Sequence, residues 1–127
     1  MKTKYTQFPK ADILVQKYLD IFIKTIRESV PELKAIILSG GFGRGEGAIE
    51  FINKKPRLIN DIDIYLITKK QLSDNFLEEL GKKCSKLIGK GGLEYPENYN
   101  MKFDFDTFFN VDLRCVTYNK LKYLHCL

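Results

Sequence analysis

One histidine, three cysteines and no apolar run longer than a few residues leave this 127-residue chain short of several kinds of chemistry. His125, near the end of the chain, has no partner residue in the sequence and reads as a surface or interface histidine. Cys84, Cys115 and Cys126 fall into no metal-ligand spacing, and their odd number argues against a disulfide framework, so a reducing, cytoplasmic setting is expected. Cys84 and Cys115 sit on apolar faces and read as core. No stretch is long enough to span a bilayer, and Met1 to Tyr5 lacks the apolar centre of a signal peptide, so no membrane is expected. Internal repeats, low-complexity segments and linkers are also lacking. The length suits one domain over residues 1–127 with a sizeable core, and not two.

What is present is ordinary in proportion, with 44% hydrophobic and 29% charged residues, as in a globular domain. The net charge of +5 comes from lysines spread along the chain, among them Lys54-Lys55, Lys69-Lys70, Lys82-Lys83, Lys120 and Lys122. None forms the dense block of a nucleic-acid arm. They read as a solvated surface that favours an anionic nucleotide, and no nucleic-acid partner is expected.

The pattern of apolar residues predicts a helix over 12–30, with Leu14, Tyr18, Phe22, Ile26 and Val30 at helical spacing and Pro31 as a stop. Lys34 to Leu38 reads as a strand buried on both faces. Glu50-Phe51-Ile52 and Arg57-Leu58-Ile59 flank a hairpin turn, Asn53-Lys54-Lys55-Pro56. Asp61 to Ile67 is a second main strand. Ser73 or Asp74 caps a helix with Phe76, Leu77, Leu80, Cys84, Leu87 and Ile88 on one face, ending at Gly89 to Gly92. From Phe103 to Cys115 the alternation is that of one bent strand or two, with Asp104, Asp106, Asn110, Asp112 and Arg114 on the polar face. Asn119 could cap a final helix from Lys120 to Leu127. The sum is an α/β (α+β) fold with a mixed sheet and helices packed on one face.

Two segments carry chemistry. The first strand empties into Ser39-Gly40-Gly41-Phe42-Gly43-Arg44-Gly45-Glu46-Gly47. Glycines let backbone N–H groups come close to an anion, a short helix starting near Phe42 would add its amides, and Arg44 offers a planar donor for phosphate. The same pattern also fits a flexible surface loop. It is not a Walker A loop, because no Gly-Lys-Ser/Thr follows, nor a dinucleotide fingerprint. The second segment is Asn60-Asp61-Ile62-Asp63-Ile64. Positions two apart in a strand share a face, with Cα atoms about 7 Å apart. Two carboxylates there repel by about 2 kcal/mol at an effective dielectric of 20, which a divalent cation reverses. Oxygen ligands suit magnesium or manganese. A half-exposed strand turning polar residues to water gives the same spacing.

Together the two segments resemble the nucleotidyltransferase superfamily, which includes DNA polymerase beta, kanamycin nucleotidyltransferase and minimal nucleotidyltransferase antitoxins. Leu38 or Ser39 with Gly40-Gly41 matches its first motif, and Asp61-Ile62-Asp63-Ile64 its acidic pair. Phe42-Gly43-Arg44-Gly45-Glu46 is similar to the continuation found in smaller members. Gly41 stands where many members have serine, and the spacer to Asp61 is lengthened by the hairpin around Pro56. The resemblance implies Asp61, Asp63 and a third carboxylate as catalytic and metal-binding residues. Asp112, between Val111 and Leu113, is the choice for the third, with Asp104 and Asp106 as rivals. It further implies Ser39, Gly40, Gly41 and Arg44 on the nucleotide phosphates, and two Mg2+ or Mn2+ ions.

The function so implied is transfer of an NMP from an NTP, with ATP the expected donor, to an acceptor hydroxyl of unknown identity. One alternative is a minimal antitoxin paired with a helical toxin. Another is a non-catalytic nucleotide-binding regulatory domain, and a third is a magnesium-free anion-binding module. A helical partner, or a helical region following the chain, is expected to complete the acceptor site.

Overall fold

The structure, a computed structural model, describes the backbone of residues 4–90, 103–109 and 125–126, with side chains for 4–88 and for Phe105. In chain order the elements are α1 (Pro9–Ser29), β1 (Leu33–Ser39), α2 (Gly40–Gly43), β2 (Ile49–Ile52), β3 (Lys55–Leu58), β4 (Ile62–Thr68), α3 (Asp74–Lys90), β5 (Phe103–Phe109) and β6 (His125–Cys126). The main sheet runs β5-β4-β1-β6. It is mixed: β1 is antiparallel to β4 and to β6, while β4 and β5 are parallel and joined through α3. β2 and β3 form a separate antiparallel pair.

One apolar core joins the two long helices to one face of that sheet. Leu14, Tyr18, Phe22 and Ile26 of α1 meet Leu77, Leu80, Cys84 and Ile88 of α3, together with Ile36 and Leu38 of β1 and Ile62, Ile64 and Leu66 of β4. Each large side chain so buried contributes about 1.5–3 kcal/mol relative to exposure. Burial also pushes the Cys84 thiol up to about 12, because a thiolate loses its hydration there, and Lys83 offsets only part of this. Helices on one face of a mixed sheet is the expected architecture. Among the described residues no helix is long and apolar enough to cross a membrane.

Four local expectations are corrected. α1 starts at Pro9, a turn before residue 12. Proline is preorganised for the first helical position, and the Asp12 carboxylate accepts the backbone N–H groups of Lys4, Tyr5 and Thr6 and the Thr6 hydroxyl. The hairpin turn is two residues, Asn53-Lys54, both left-handed (φ 52° and 65°), and Lys55 and Pro56 lie in β3. A two-residue turn of that hand matches the twist of its strands. α3 ends at Lys90, within the expected Gly89 to Gly92, but Leu87 is 38% exposed, off the buried face. Ser73 does cap α3, its Oγ accepting the Phe76 N–H at 3.1 Å. The helix expected over Lys120 to Leu127 is not formed at its end, where His125 and Cys126 pair with Leu38 and Ile37 of β1. An unsatisfied sheet edge wins over a weak helical signal there. The proposed strand residues 110–115 lie outside the described residues.

Candidate active site

The register of β1 on β4 brings the two sequence segments together. Ser39, the last residue of β1, pairs with Asp63 near the start of β4, and Ile37 pairs with Tyr65. Ile62, Ile64 and Leu66 are buried in the core, whereas Asp61, Asp63 and Tyr65 are half-buried. That alternation places both carboxylates on the face away from the helices. Asp61 stands one residue ahead of β4 and Asp63 within it.

The glycine segment leaves β1 as a four-residue helical turn beginning at Gly40, two residues before the expected Phe42. Gly40 has a left-handed φ of 64°, and a Cβ on it would lie 2.2 Å from Oδ2 of Asp63. No side chain fits between this backbone and that carboxylate. A Cβ on Gly41 would meet Nδ2 of Asn60 at 2.7 Å. A serine there would have to displace the Asn60 amide. Gly47 lies against the Phe42 ring, which is fully buried.

Backbone hydrogen bonds close the segment on itself. Arg44 N–H donates to Gly40 C=O (3.1 Å), Gly45 N–H to Phe42 C=O (3.3 Å) and Glu46 N–H to Gly41 C=O (2.8 Å). Gly47 N–H reaches further, to the C=O of Tyr5 at 3.0 Å. Tyr5 is itself 1% exposed, its hydroxyl donating to Gln16 Oε1 at 2.6 Å. Asn60 Oδ1 accepts the Ala48 N–H at 2.7 Å, tying the exit of the glycine segment to the residue before Asp61. The amides of Gly41, Phe42 and Gly43 belong to a first helical turn, which has no acceptor within its own helix.

The phosphate-contact candidates differ in placement. The Ser39 hydroxyl is buried and donates its one proton to the Asp63 C=O at 3.2 Å. In this position Ser39 fastens the two strands where the acidic pair begins. Arg44 is exposed and its Nε lies 3.4 Å from Glu46 Oε2. This uses one of the five N–H donors of its guanidinium and leaves the rest of the fork.

The three candidates for a third carboxylate also separate. Asp112 lies outside the described residues. Asp104 is the register partner of Asp63 on the adjacent parallel strand, and Asp106 the partner of Tyr65. Register partners share a face of the pleat, and Phe105, partner of Ile64, packs against the core as the alternation requires. Among the described residues no cluster of three or more His, Cys, Asp or Glu side chains forms a ready metal site. Asp61 and Asp63 offer hard oxygen donors of the type that magnesium or manganese takes.

Sequence reading singled out neither Asn60 nor Tyr5. Asn60 adjoins the acidic pair and has the side chain typical of a turn brace. Nothing in the sequence pattern links Tyr5 to Gly47, over forty residues away.

No family model matches the chain, and no curated protein does. Solved structures are similar to it. One is a chain of the tri-AMPylated Shewanella oneidensis HEPN toxin in complex with MNT antitoxin, at 21% identity and a TM-score of 0.44, over 85% of this chain and 63% of that one. A mutant of the toxin-antitoxin MntA-HpeT gives 20% identity and a TM-score of 0.49 over 86% and 70% of the two chains. A toxin-antitoxin with AMP-PNP gives 24% and 0.43, over 82% and 64%. The chain thus spans less than two thirds of the length of two of these three. None of the three reaches a TM-score of 0.5, and the reading below rests on this chain's own geometry.

Proposed function

We propose that the chain is a metal-dependent nucleotidyltransferase domain, moving an NMP from an NTP to an acceptor hydroxyl. The observation that carries this is the pairing of Ser39 with Asp63, which sets Gly40 so close to the carboxylate that a Cβ there would overlap Oδ2. A phosphate-sized anion on the bare backbone of Gly40 and Gly41 would lie beside the two aspartates. Asp61 and Asp63 would hold the divalent cations, magnesium or manganese, with a third carboxylate from the strand next door. By register Asp104 is the first to test for that place, and Asp112 is the sequence's candidate beside it. When bound, such cations neutralise the triphosphate and make an acceptor hydroxyl easier to deprotonate.

The chain's own residues supply the rest. The acceptor oxygen forms a bond to the α-phosphorus while the bond from that phosphorus to the bridging oxygen of pyrophosphate breaks. The third carboxylate takes the acceptor's proton. First-turn amides from Gly41 onward and the Arg44 fork face charge that grows on the departing pyrophosphate. Ser39 and Asn60 hold the two strands and the glycine turn in register, so little reorganisation is left for the reaction.

The test is release of pyrophosphate and transfer of label from ATP labelled at the α-phosphate, with magnesium and with manganese. Asp63→Asn is expected to abolish both while leaving the thermal unfolding midpoint within a few degrees. Undiminished turnover in that variant would reject the assignment. A second reading changes only the acceptor, from a small molecule to a helical protein partner. The toxin-antitoxin complexes named above supply the first partner class to try.

A further inference from the structure

Away from the aspartates, the hairpin tip folds over the N-terminal half of α1 and makes a cleft of about 270 Å³. Its rim holds Lys10 and Lys17 from the helix and Lys54 and Lys55 from the hairpin, with Ile13 between them. No carboxylate among the described residues lines it. Among the described residues the four ion pairs leave all four of these lysines out. Ile13 is 63% exposed, more than any other large apolar side chain described, and Phe51 and Ile52 beside the hairpin tip are 45% and 46% exposed. Four ammonium groups around uncovered aliphatic surface cost solubility nothing but leave apolar area in water.

We propose that this cleft is a docking site for an acidic amphipathic helix of a partner protein. Three observations select that occupant. The ammonium groups call for carboxylates or phosphates, and none is supplied by the described residues. Ile13, exposed in the same lining as the lysines, rewards an apolar side chain, which a phosphate backbone lacks. The lysines on α1 recur every seven residues, at Lys10, Lys17 and Lys24, which is about 10.5 Å along the axis. A helix laid alongside returns a side chain to the same seam at that interval, and its flanking carboxylates pair across it. Phosphates along one strand of a duplex come every ~3.4 Å instead. Asp20, exposed on the same stripe between Lys17 and Lys24, repels a polyanion but leaves a gap in which a helix can place a neutral residue.

The inference stands apart from the transferase reading, since it uses none of the residues that reading needs. The test uses a fluorescein-labelled, hydrocarbon-stapled 21-residue helix with leucines on one seam and glutamates flanking them at seven-residue intervals. Anisotropy is read at physiological salt on the full chain. Saturable binding is expected, weakened at least tenfold by Lys10→Glu with Lys54→Glu and about fivefold by Ile13→Ala. A peptide with lysines in place of the glutamates should bind the doubly reversed variant better than the parent. Circular dichroism checks that the exposed-site variants stay folded. The proposal is overturned if a scrambled peptide of equal charge binds as tightly, if a single-stranded oligonucleotide of equal charge binds tighter, or if no binding occurs below millimolar concentration. Transfer activity, or its absence, does not bear on any of these outcomes.

Discussion

Two loops follow β1 in direct succession, and they are built on opposite principles. The glycine segment, Gly40 to Gly47, is shaped by what it excludes: no Cβ fits at Gly40, Gly41 or Gly47 without displacing a neighbour. Its amides from Arg44 to Gly47 each have a backbone acceptor. The hairpin, Ile49 to Leu58, pairs chiefly with itself and turns through two left-handed residues at its tip. An Arg57–Glu50 ion pair braces its middle, and Phe51 meets Phe8 edge to face at 5.2 Å. The first loop gives a fixed backbone next to a carboxylate. The second lifts lysine and apolar side chains into solvent. On the two proposals above, chemistry falls to the loop with the tightly packed backbone and recognition to the one with exposed side chains.

The sharpest way to break that comparison is Gly40→Ala. A left-handed backbone costs a residue with a side chain about 1–2 kcal/mol, and overlap with a neighbour adds a similar amount. A loss of about 3 kcal/mol in urea unfolding is expected, and retention of full stability would show that the turn can move off Asp63. Asp12→Ala comes next. It removes the acceptor for three backbone N–H groups and a hydroxyl, for an expected loss of about 2 kcal/mol. Hydrogen exchange at Gly47 should quicken through loss of the Tyr5 anchor, with Ile52 and Leu58 unchanged. Equal acceleration in both loops would mean that they are not independent. The smallest effect is expected at the hairpin tip. Lys54→Gly relieves a φ of 65° at an exposed site and should raise stability by about 0.5–1 kcal/mol, read as a higher unfolding midpoint.

How far the sequence reached depends on the range of the forces involved. The long helices and the main strands were legible because apolar periodicity reports directly on a buried face. Leu14, Phe22, Leu80 and Ile88 are buried where the spacing puts them. The half-buried faces of Asp61 and Asp63 follow from the same two-residue alternation. What stayed hidden depended on long-range pairing. The antiparallel meeting of Ser39 with Asp63 spans 24 residues, and Tyr5 with Gly47 spans 42, and neither has a local signature. The Ser39 hydroxyl bond to the Asp63 carbonyl depends on the same long-range pairing. The basic cleft was invisible for the same reason: Lys10 and Lys17 lie far in sequence from Lys54 and Lys55, and only the fold of the hairpin over α1 gathers them. Asp104 ranked below Asp112 on strand context alone, and register with Asp63 is information that only pairing provides.

The peptide bond at Tyr5 acts as a footing for the far end of the glycine loop. A rigid fusion joined immediately ahead of Lys4 would load that footing and transmit the strain to Gly47, as would an endopeptidase cut between Thr6 and Phe8. In that sense Tyr5 helps to hold the glycine loop, however distant the two look on paper.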